Sequence, residues 1–98
     1  MARVFQTQDM GEAHFRVAVV DDLGIADLAV YRVSSWGEAH GDAFWYITRN
    51  KQDANLWLYF GSIGIAEFKV CFVHNRGQAG WRNDGQNSGR FRGLVRGY

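Results

Sequence analysis

The chain has 98 residues, 47% of them hydrophobic and 21% charged, the balance of one soluble globular domain rather than a disordered chain. A net charge of +1 gives no global attraction to nucleic acid or anionic membrane, and a single cysteine, Cys71, excludes a disulfide framework or a Cys-rich zinc site. No apolar run approaches the ~20 residues of a membrane helix, and residues 1–5 lack an apolar signal core, so a cytoplasmic location is expected.

Taken in order, runs rich in Val, Ile, Phe, Tyr and Trp predict a short strand at 4–6, then strands at 15–20, 28–33, 44–48, 56–60 and 68–73. Between them a turn recurs. Its marker is an alanine column, Ala13, Ala26, Ala39, Ala54, Ala66 and Ala79, at spacings of 12 to 15 residues. Two places earlier stand Gly11, Gly24, Gly37, Gln52, Gly64 and Gly77; four places earlier stand Asp9, Asp22, Ser35, Asn50, Ser62 and Asn75. Two places later come Phe15, Leu28, Gly41, Leu56, Phe68 and Trp81. The short polar side chain opens the turn by bonding to backbone two residues on, and the glycine is expected to supply a positive φ. An alanine in every copy implies room for no more than a methyl group, as where another stretch of backbone passes close by.

One parity of these runs is apolar throughout, and the other is mixed but hardly polar, which predicts strands buried on both faces. The runs are too short for stable helices, although single helical turns fit inside links such as 35–39. The reading is an all-β domain of tandem strand–turn repeats, with the chain wrapped around itself. It spans residues 1–82. Residues 83–98 form a polar Gly/Arg-rich tail that is expected to be flexible, and residues 80–98 hold four arginines against one acid.

Several segments carry a resemblance. These are 17–21, 26–31, Gly41-Asp42 ahead of Trp45-Tyr46, 68–73, and Gln78-Ala79-Gly80-Trp81. They resemble a family of short bacterial proteins of unknown function whose tandem strand–turn repeats end in Ala-Gly-Trp. The resemblance covers residues 3–82 and implies a backbone tied in a seven-crossing torus knot. The glycine ahead of each alanine departs from that family's pattern.

For chemistry the chain offers little. The column after the alanines, His14, Asp27, His40, Asn55, Glu67 and Gly80, mixes imidazole and carboxylate as zinc sites do. No pair has a ligand spacing, so a polar, solvated link position is expected instead. Cys71 lies mid-strand and reads as a small buried hydrophobe. Asp21-Asp22 alternate in direction, and Asp22 is needed to open a turn. Trp45, Trp57 and Trp81 read as core, whereas Trp36, in a turn, is expected to be exposed. No nucleophile elbow, phosphate loop or dinucleotide fingerprint is present. A non-catalytic structural or interaction module is expected, monomeric and without cofactor or metal; the residues name no partner. The alternative is weak binding of single-stranded nucleic acid through Arg82, Arg90, Arg92 and Arg96.

Overall fold

Each β-branched and aromatic run becomes a strand in the computed structural model, which describes residues 2–39, 41–82 and 91. The strands are β1 (Ala2–Gln6), β2 (Phe15–Val19), β3 (Leu28–Arg32), β4 (Phe44–Thr48), β5 (Leu56–Phe60), β6 (Phe68–Val73) and β7 (Gly80–Trp81). Expected bounds hold to within a residue, except that β1 begins two residues earlier; β7 is additional. Every link after the first contains one 3-10 turn, at Leu23–Ile25, Trp36–Glu38, Lys51–Asp53, Ile63–Ile65 and Arg76–Gln78. No helix among the described residues is long and apolar enough to cross a membrane.

The strand order is β4-β1-β5-β2-β6-β3-β7, and β3 also pairs with β4, so six parallel strands close into a barrel. β7 runs antiparallel beside the first residues of β3, which leaves the end of β3 to β4. Placing each successive strand two positions on in a ring of seven reproduces this order. The chain therefore makes two laps, and the second lays β4 to β7 in the gaps left by β1 to β3. Each link has to pass outside a strand of the other lap. This is why the strands are apolar on both faces: the inner face lines the barrel, and the outer face lies under a crossing link.

Inward residues such as Val4, Phe15, Val17, Leu28, Trp45, Leu58 and Val70 are fully buried. Phe91 joins them, fully buried, with its ring 5.6–5.9 Å from those of Phe15, Trp45, Phe68 and Trp81. Phe15 and Phe68 open their strands, Trp45 is second in β4, and Trp81 pairs with Leu28 at the start of β3. Phe91 thus closes the amino end of the barrel. It lies beyond the expected boundary at residue 82. The remainder of the expected tail, residues 83–90 and 92–98 with Arg90, Arg92 and Arg96, lies outside the described residues, as does His40.

The turns form as anticipated in one respect and not in another. Side chains of Asp9, Asp22, Asn50 and Asn75 accept the backbone N–H two residues on, at 2.8–3.1 Å. Ser35 and Ser62 cap no N–H. The expected positive φ is absent: among the described residues only Gly41 (68°) and Gly80 (147°) have one. Gly24, Gly37, Gly64 and Gly77 sit in right-handed 3-10 turns, and where an Asp or Asn caps the turn the glycine's smallness serves the cap instead. A Cβ on Gly24 would lie 3.1 Å from the Asp22 carboxylate oxygen that its own N–H binds, and Gly11 and Gly77 are crowded in the same way at 3.3 Å. Gln52, beside Asn50, shows that a side chain is accommodated.

Candidate functional site

The polar column after the alanines was the first candidate for chemistry, and its side chains prove to be structural in a specific way. His14 donates its backbone N–H to the Trp57 carbonyl at 2.7 Å, while its side-chain Nδ1 accepts the Trp57 backbone N–H at 2.9 Å. Asp27 makes the same pair of bonds with Lys69 (2.8 and 2.9 Å), Asn55 with Arg3 (2.9 and 2.9 Å) and Glu67 with Arg16 (2.7 and 3.0 Å). In each case the partner lies on the strand that the preceding link has just crossed. The chain leaving a link cannot offer the carbonyl that would continue the ladder, so a side-chain acceptor takes its place and satisfies the N–H. Each of these four crossings is clamped by one residue. Gly80, paired with Ala29, has no side chain to do this.

These residues are half-buried rather than solvated, which corrects the sequence expectation. They do not converge, and no group of three potential metal ligands occurs among the described residues. His14 Nδ1, as an acceptor, fixes the neutral tautomer with its proton on Nε2. Where the first link crosses β5, Glu12 and Lys51 form an ion pair, and the ammonium stands 4.6 Å over the Trp57 ring. The hydrogen bond from Lys51 holds the Glu12 carboxyl below its ordinary value of 4.5, against a smaller opposing effect of desolvation.

The remaining candidates are scattered. Cys71 is buried with Val20 and Ala26 where the 20–27 link crosses β6. Asp22 caps its turn, and Asp21 places its carbonyl 3.9 Å from the Cys71 sulfur. Trp36 is 51% exposed beneath the Arg3 guanidinium, whereas Trp45 is in the core and donates to the Asp42 carbonyl at 2.7 Å. Trp81 donates to the Asp42 carboxylate at 2.8 Å and so joins β7 to the start of β4. Arg82 is exposed, its N–H bonded to the Asp27 carbonyl.

What sequence reasoning missed lies at the other end of the barrel. In β2, β5 and β6 the inward row stays apolar to its end, at Val19, Phe60 and Phe72. In β3 and β1, which flank β4 on either side, it ends in Arg32 and Gln6, and Arg49 follows β4 directly. Two hollows open there. One, of 410 Å³, is lined by Arg32, Val33, Ser34, Tyr46 and Ile47. The other, of 350 Å³, is lined by Phe5, Gln6, Arg32, Ile47, Thr48 and Arg49. They share Arg32 and Ile47, and among the described residues their linings contain no carboxylate. Among the described residues neither Arg32 nor Arg49 forms an ion pair or stacks on a ring, unlike Arg3, Lys51, Lys69 and Arg76. The signal was available as an apolar row turning polar, but only once strand order shows that the three strands are neighbours.

Neither a curated protein nor a solved structure matches the chain significantly. The family model of the 7(1) septoil knot domain matches residues 1–82. The matched region holds all seven strands and both laps, and the chain belongs to the septoil knot domain family.

Proposed function

We propose that the protein is a non-catalytic interaction module that receives its ligand at the carboxyl mouth of the barrel. The observation behind this reading is the basic mouth around Arg32 and Arg49, whose lining holds no carboxylate among the described residues. Parallel barrels present divergent loops and strand ends at that face, where other proteins of parallel architecture place their sites; this is an analogy of architecture. The imidazole of His14 and the carboxylates of Asp27 and Glu67 are committed to backbone N–H groups at the crossings. In this reading the protein works as a monomer in a bacterial cytoplasm, without a cofactor. Titration of labelled protein with a phosphate compound, an acidic peptide and a neutral saccharide tests it. Amide shifts are expected at 32–34 and 46–49; conversion of any of the compounds would overturn the non-catalytic assignment.

A second reading, weak binding of single-stranded nucleic acid through Arg82, Arg90, Arg92 and Arg96, draws support from the exposed Arg82, which makes no ion pair among the described residues. Its test replaces the four arginines with glutamine and keeps Phe91, since cutting the chain at 82 would also remove a core residue. Unchanged oligonucleotide binding would reject this reading.

A further inference from the structure

We infer that the mouth of the barrel is a site for a phosphate group attached to a planar ring, the chemistry of a nucleotide unit. The inference rests on the interaction reading above and names its ligand. The hollow of 350 Å³ brings Arg32, Arg49, Gln6 and Thr48 together. Two guanidinium forks with no carboxylate beside them in this lining, among the described residues, match a phosphate in charge and geometry. Thr48 Oγ1 already accepts the Asn50 N–H at 3.0 Å, which leaves its hydroxyl proton to donate. The adjoining hollow of 410 Å³ has a different character, lined by Tyr46, Val33 and Ile47 beside Ser34. Arg32 stands between the two, able to bind phosphate with its fork and to lie against a ring with its plane. An anion alone would leave the second hollow unused, and an apolar ligand would leave two guanidinium groups without a partner.

The position follows from the fold. Phe91 closes the amino end of the barrel, so the inward row is apolar there, and only the carboxyl end of three neighbouring strands carries polar inward groups. Residues that keep the alternation of a core row yet end in arginine are costly unless their charges reach solvent or a ligand.

The test is a titration of the full chain, followed by amide shifts at 32–34 and 46–49, with adenosine monophosphate, adenosine, inorganic phosphate, a short oligothymidylate and an acidic peptide. Adenosine monophosphate is expected to bind at least ~10-fold more tightly than adenosine or phosphate, with Arg32→Gln and Arg49→Gln each weakening it by about 10-fold at unchanged melting temperature. Lysine at either position should restore part of the affinity, through charge without the fork. Tighter binding of the oligonucleotide than of the mononucleotide identifies a nucleic-acid strand as the source of the phosphate; equal binding identifies a free nucleotide. Affinity for phosphate equal to that for the mononucleotide would overturn the role of the planar ring. Shifts with the acidic peptide alone would overturn the phosphate assignment and leave the interaction reading standing. No shift with any compound would overturn both.

Discussion

Asn55 shows what a single side chain contributes at a crossing. Its Oδ1 holds the Arg3 N–H at a place where the backbone has turned away and offers no carbonyl. Asn55→Ala should cost about 1–3 kcal/mol, the penalty for leaving a sequestered donor unpaired, whereas Asn55→Asp keeps an acceptor and should melt close to the parent. Equal melting temperatures for the two variants would mean that water replaces the side chain. The alanine column makes the complementary case. Ala26 is 4% exposed against Val20 and Cys71, under the link that crosses β6, whereas Ala79 is half-buried at the core's edge. Ala26→Leu should cost ~1–3 kcal/mol or more by overpacking, since a link held at both ends by other strands cannot swing outward. Ala79→Leu should be milder, and thermal melts of the two decide it.

Strands were legible in the sequence because apolar alternation and glycine-bearing turns report local physics, and both are local here. The Asx caps were legible for the same reason. The glycine conformation was not, because crowding by a cap oxygen and a positive φ demand the same residue. The clamp column was visible as a pattern, but its partners lie about 50 residues away, as Arg3 and Asn55 do, and no local rule pairs them. The mouth escaped for a related reason: Gln6, Arg32 and Arg49 become neighbours only through strand order. Links also engage one another. Glu12 and Lys51 join the first link to the fourth, and the lowered Glu12 pKa sets the sign of the pH effect. A carboxyl held below its ordinary value contributes stability above that value and loses it as pH falls through the folded value. The melting temperature of the parent should therefore exceed that of Glu12→Gln at neutral pH, and the two should converge below the ordinary carboxylate range. Added salt should narrow the gap, because both groups are partly exposed. A gap that persists at low pH would assign the effect to packing.

For the whole molecule, the barrel is completed by a residue from outside the repeats. Phe91→Ala removes a fully buried ring from between four aromatic neighbours and should cost about 3–5 kcal/mol. A loss under ~1 kcal/mol would show that the neighbours collapse into the gap. The two-lap order has a further consequence during synthesis. Every strand pair joins β1, β2 or β3 to a strand of the second lap. A nascent chain that has emerged as far as residue 43 holds three apolar strands and none of their partners. It cannot form even one hairpin, so it has to wait, exposed, for the ribosome to deliver the second half. A peptide of residues 1–43 should accordingly show no sheet by circular dichroism, and refolding of the full chain should be slow, as all-non-local pairing requires. This protein should therefore need a holding chaperone most when half made, and should gain nothing from folding as it emerges.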